Sequence, residues 1–145
     1  MTMRRVLKVE GRRRFEDMTV EDAVYLACLV DCEGCIGIYG RYTMAQIDIH
    51  MTAGFPRALC EEWGGGIYSE DDKNPRHKIY EHWKIMEQDR VRVFLLKIKP
   101  YLRLKRRQAD LALRIIDVCS EKGEGWKGER DHIREETHKL NKTGR

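Results

Sequence analysis

The clearest pattern along the chain is an apolar helical run that stops on acids. Thr19, with Asp22 three residues on, forms a loose helix-start box. The helix it opens runs to about Asp31, and Gly34 ends it. Alternation with a period of two then takes over: Cys35 to Tyr42 and Gln46 to Thr52 predict the two strands of a hairpin. Pro56 opens a short helix that ends at Trp63, Gly64-Gly65-Gly66 breaks it, and Ile67-Tyr68 begins a third strand. Asp71 to Arg76, with Asn74-Pro75 inside it, predicts a turn, and His77 to Ile85 a fourth strand. Helical spacing returns at Val91, Phe94, Leu95 and Ile98, until Pro100. It returns again over 106–121, where Ala109, Ala112, Leu113 and Ile116 make one stripe.

This order, α-β-β-α-β-β-α-α, implies an α+β fold in which two hairpins build a curved four-stranded antiparallel sheet with helices on one face. One parity of the strands carries Ile36, Ile38, Ile47, Ile49, Met51, Trp83 and Ile85, which reads as core together with Trp63 and Phe94. The other parity carries Cys35, Gly37, Tyr39 and Arg41, then Gln46, Asp48 and His50, then Tyr80, His82 and Lys84. Such a polar, partly aromatic face can lie in a DNA major groove, and a merely solvated sheet face has the same composition. His50 and His82 read as hydrogen-bonding groups of that face, since no HxxxH or CxxC pair supports zinc. Residues 129–140 are helical in pattern but offer only Ile133 and Leu140 as large apolar side chains, which predicts weak packing. The chain therefore divides into a basic arm over 1–18, a main domain over 19–122, and a glycine hinge with a helical tail over 123–145.

At 145 residues the chain suits one domain, and no apolar run is long enough to span a membrane. With no apolar signal-peptide core, the expectation is a soluble intracellular protein of cytoplasm or nucleoid, or of an organelle matrix if organelle-encoded. Five cysteines, an odd number, argue against a disulfide framework. Net charge is only +4, but its distribution is uneven. Arg4, Arg5, Lys8, Arg12, Arg13 and Arg14 crowd the start, and Lys97, Lys99, Arg103, Lys105, Arg106 and Arg107 fall within eleven residues with no acid among them. Two such clusters favour a polyanionic partner over a plain solvated surface.

The candidate chemistry sits where the first helix ends. Residues 26–34 read Leu-Ala-Cys-Leu-Val-Asp-Cys-Glu-Gly. This segment resembles the nine-residue signature of the LAGLIDADG homing endonucleases at seven of nine positions, departing at Cys28 and Cys32. Gly64-Gly65-Gly66-Ile67-Tyr68 is similar to that family's glycine turn into its third strand. The stretch from Pro100 to Ala109 is similar to its basic-Gln-Ala segment. The resemblance implies an αββαββα fold that forms homodimers through its motif helices and cleaves double-stranded DNA with Mg²⁺ or Mn²⁺ and no small-molecule cofactor. It places the metal on Glu33, with the Cys32 carbonyl as a further ligand. Tyr25, Cys28 and Cys32 fall at the dimer seam. Asp31 and Gly34 become structural parts of the motif, and Lys105 a basic group near the scissile phosphate, whether catalytic or anchoring. A mobile-element context, intron or intein, comes with the likeness, as does an alternative: a non-cleaving splicing maturase or DNA-binding regulator. The polar residue that positions water after the second strand is replaced by Ala53, and Arg57 is a substitute to consider. Cys28, Cys32 and Cys35 also match the CxxxCxxC spacing of iron–sulfur enzymes, but two of the three fall on one helix rather than on a loop.

Overall fold

The computed structural model describes residues 3–52, 54–70, 76 and 80–143. Ala53, the turn residues 71–75 and the expected strand start at 77–79 lie outside them. The elements are β1 (Met3–Glu10), α1 (Val20–Glu33), β2 (Gly34–Tyr39), β3 (Met44–Thr52), α2 (Phe55–Trp63), β4 (Gly64–Glu70), β5 (Tyr80–Ile85), α3 (Gln88–Ile98), α4 (Arg106–Glu121) and α5 (Trp126–Lys142). One antiparallel sheet runs in the order β1-β4-β5-β3-β2.

The four expected strands are present, and a fifth joins them. Residues 3–10 of the basic arm pair with β4 and form one edge of the sheet. Arg4, Arg5 and Lys8 keep that edge charged, a common guard against pairing with another chain. The arm is then tied down by Phe15, which stacks on Trp63 with centroids 5.8 Å apart and meets Phe94 edge-on at 5.1 Å. Chain crossing at this corner needs glycine: a Cβ on Gly64, whose φ is +79°, would lie 2.6 Å from the amide nitrogen of Gly11. β4 begins at Gly64 and not at Ile67 because β1 pairs with it as far as Glu10 opposite Gly64.

The expected core parity is buried apart from Met51, which is partly buried. Ile36, Ile38, Ile47, Ile49 and Trp83 are fully enclosed under α1 to α4, with Ala27 and Val30 of α1, Phe94 and Leu95 of α3, and Ala112 and Ile115 of α4. Truncating Phe94 in such a core costs about 3–5 kcal/mol. Glu81 is an exception on this parity. It is buried, accepts hydrogen bonds from the Gly54 amide and from Arg57 at 3.0 and 2.8 Å, and so anchors the start of α2. Arg57 is thereby held by Glu81 through Nε.

The tail packs more firmly than its composition predicts. α5 lies against α4 and the open edge strand β2. Ile133 and Thr137 are buried. His138 donates from Nε2 to the Ile38 carbonyl at 3.0 Å, and Asn141 donates to the Ile36 carbonyl at 2.9 Å. Polar side chains thus satisfy a sheet edge that few apolar side chains could cover.

Candidate active site

α1 opens on its capping box, with Thr19 and Asp22 exchanging backbone and side-chain hydrogen bonds of 3.0 and 3.2 Å. Arg13 grips the same Asp22 carboxylate through both guanidinium nitrogens, at 2.5 and 3.2 Å. That contact, with further help from Thr19, holds the Asp22 carboxyl down at about 2. The helix runs two residues beyond the predicted stop, so Glu33 is its last residue. Gly34 turns the chain directly into β2, and a Cβ there would sit 2.8 Å from the Cα of Val30.

Two carboxylates therefore stand at a helix C-terminus, where the macrodipole disfavours negative charge, and the last turn holds no basic residue. Their surroundings differ. Asp31 is buried and accepts from the backbone amides of Arg103, Leu104 and Lys105 at 2.7, 3.2 and 3.0 Å. In return Lys105 donates from Nζ to the Asp31 carbonyl at 2.8 Å, satisfying one of the free carbonyls of the helix end. Asp31 thus welds α1 to the segment before α4 and sets Lys105 at the helix end. Glu33 is exposed and has no hydrogen-bond or ion-pair partner among the described residues.

Beside this junction runs an uncovered apolar stripe. Val20, Val24, Cys28 and Cys32 recur every four residues on α1, all exposed, with Tyr25 next to them at 51 % exposure. An open groove of about 810 Å³ lies between the stripe and the segment from Pro100, lined by Val24, Cys28, Cys32, Tyr101, Arg103 and Leu104. The Cys28 thiol, with Asp31 and Glu33 nearby, raises the Cys32 thiol above its ordinary range. Cys35 stands apart on β2, its sulfur 3.6 Å from the Tyr39 hydroxyl.

The polar sheet face is more closely knit than alternation suggests. Tyr39 folds its ring back over Gly37, where a Cβ would meet the ring at 2.2 Å. Arg41 is exposed in the turn after β2, since the strand ends at Tyr39 and Gly40 takes φ +82°. Gln46 is half-buried, and His50 and Tyr80 are exposed. His82 is buried, with Nδ1 2.9 and 3.1 Å from the two Asp48 oxygens. Lys84 lies 3.8 Å from Asp48 and 5.0 Å from the Tyr68 ring centre. Among the described residues, Asp48, His50 and His82 are the one cluster whose ligand atoms converge, all within 4.8 Å of one another. The sequence reading missed that convergence, because it depends on the register that sets His50 opposite His82. Of the basic segment, Arg103 is exposed at the groove, Arg106 donates to the Pro100 carbonyl, and Arg107 is ion-paired with Glu136 of α5.

No protein-family model and no curated protein matches the chain by sequence. Solved structures do match in shape. The homing endonuclease I-CvuI in complex with its target, in the presence of Ca, superposes with a TM-score of 0.68 and 20 % identity, over 83 % of this chain and 82 % of that one. I-CvuI with the I-CreI target in Mg, its DNA not cleaved, gives 0.66 and 19 % over the same shares. The homing endonuclease I-TnaI gives 0.55 and 14 %, over 85 % of this chain and 97 % of that one. The fold of this chain is the homing endonuclease fold.

Proposed function

We propose that the chain is a site-specific endonuclease of the LAGLIDADG type, acting as a homodimer on double-stranded DNA with Mg²⁺ or Mn²⁺. The observation that carries the reading is Glu33: an exposed carboxylate at the wrong end of a helix dipole, two residues from a second acid, with no hydrogen-bond or ion-pair partner among the described residues. Local rules are broken in this way where a ligand supplies the missing charge. Hard oxygen donors suit the proposed ion: the Glu33 carboxylate and the Cys32 carbonyl would hold it, since Asp31 is spent on three amides. When bound, the ion neutralises phosphate charge and activates water. Lys105, positioned through Asp31, offers a fixed positive charge to the same phosphate.

The apolar stripe supports a two-fold seam. An apolar helix face left uncovered costs free energy that a second α1 recovers, and two copies bring two Glu33 carboxylates to one axis. The target would then be long and roughly palindromic. Tyr39, Arg41, Gln46, His50 and Tyr80 would meet bases or backbone on either side, and Arg103 and Arg106 the phosphates. Homing from an intron or intein is the genetic context we assign.

Selection of cleaved sequences from randomised DNA in Mg²⁺ identifies the site, and Glu33→Gln then separates the roles. Affinity should change by less than about tenfold, about 1.4 kcal/mol, while cleavage falls by several orders of magnitude. Ca²⁺ should support binding with little cutting. Full cleavage by the variant would place the catalytic acid elsewhere. Binding without cleavage by the unaltered protein would instead make it a binding module.

A further inference from the structure

The cluster on the polar sheet face has no part in the chemistry at Glu33. Asp48 and His50 project from the same face of β3, and His82 stands directly opposite His50 on β5. The two imidazole rings stack at 23° with centroids 5.2 Å apart. Two donors on one tetrahedral Zn²⁺, at bond lengths of about 2.0–2.1 Å, sit about 3.3 Å apart. Asp48 and His82 already stand 2.9–3.1 Å apart, held by strand pairing and by the burial of His82. The third donor, His50, is on the exposed ring, the member of the set freest to swing inward.

We propose that Asp48, His50 and His82 form a metal site for a borderline divalent ion of the Zn²⁺, Co²⁺ or Ni²⁺ class. Two imidazoles and one carboxylate suit such ions, whereas Mg²⁺ prefers oxygen alone. Three protein donors leave a coordination position for water, as in open zinc sites. The ion replaces the proton shared by Asp48 and His82 and pins His50 on the face that includes Tyr80. Lys84 works against occupancy, its ammonium 3.8 Å from Asp48, and the Tyr68 ring gives that ammonium another place to rest. The site is separate from the cleavage chemistry, because its donors are neither Glu33 nor Cys32, and it shares only His50 with the proposed DNA face.

The test is a Co²⁺ titration of the full chain followed by visible absorption. One ion per chain should bind that excess Mg²⁺ does not displace and Zn²⁺ does, with d–d bands but no thiolate charge-transfer band. His50→Ala, an exposed substitution that leaves the fold alone, should weaken binding at least about tenfold. Lys84→Gln should tighten it several-fold by removing the competing charge. Glu33→Gln should leave it unchanged. Equal affinity in the His50→Ala protein would overturn the site. So would a thiolate band lost with Cys35→Ser, or release by Mg²⁺.

Discussion

α1 has two apolar faces, and they are used differently. The inner face, Ala23, Leu26, Ala27 and Val30, is buried in the core and ends on a buried acid, Asp31. The outer stripe, Val20, Val24, Cys28 and Cys32, is open and has an exposed acid, Glu33, at its end. A helix that is apolar all round is normally enclosed on all sides. Here a single copy of the fold encloses half of it. The inner acid is bound by three of the chain's own amides, and the outer acid is exposed without a hydrogen-bond or ion-pair partner among the described residues.

The contrast is sharpest between the two acids. Asp31→Ala strands three backbone amides and frees the segment before α4, so it should cost about 3 kcal/mol in urea unfolding. Glu33→Ala, on an exposed side chain, should stay within about 0.5 kcal/mol of the parent. Equal losses would mean that Glu33 has a structural role and that the two faces are not functionally distinct.

Bulk tests the faces themselves. Ala27 has no exposed surface, so Ala27→Leu forces extra volume into a closed core and should destabilise by about 1–3 kcal/mol. Cys28→Trp, one residue on, should leave the melting curve of the monomer in place and change only its assembly. Sedimentation should show a dimer for the parent and a monomer for Cys28→Trp. A parent that is monomeric at micromolar concentration yet still cuts would remove the seam.

These distinctions were unevenly legible in the sequence. α4 falls on the predicted residues 106–121, but its buried face is Ala109, Leu111, Ala112, Ile115 and Val118, and Leu113 and Ile116 of the expected stripe are only partly buried. Asp31 accepts from three amides far along the chain, contacts that no local pattern in the sequence announces. β1 was missed because an edge strand guarded by arginine and lysine hides its own alternation. α5 was underrated because its hold on the sheet edge comes from His138 and Asn141, polar residues that periodicity does not count. Glu81 on a core parity was a readable sign that a buried acid has a partner, which is Arg57. The convergence of Asp48, His50 and His82 had no local signal, since it needs the register between strands separated by α2 and β4.

The smallest effect lies at the opposite end of α1, where the arm meets the capping box. Asp22 is held at about 2 in the folded chain, first by its hydrogen bonds to Arg13 and then by those to Thr19. An unfolded aspartate titrates near 3.9. Because the folded value is the lower one, ionised Asp22 stabilises the fold fully above about pH 4. That contribution fades as pH falls toward 2. Both partners keep partial contact with water, so after screening the contribution is about 1 kcal/mol. Asp22→Asn should therefore lower stability by about that amount at pH 7 and by almost nothing at pH 2, as urea midpoints at the two values would record. The same substitution should leave assembly and metal binding untouched, since neither the outer stripe nor the polar sheet face includes Asp22. A loss that persists undiminished at pH 2 would mean that the cap acts through shape alone. The acid sensitivity of the arm would then have to arise from Glu62, the other carboxylate that Arg13 contacts.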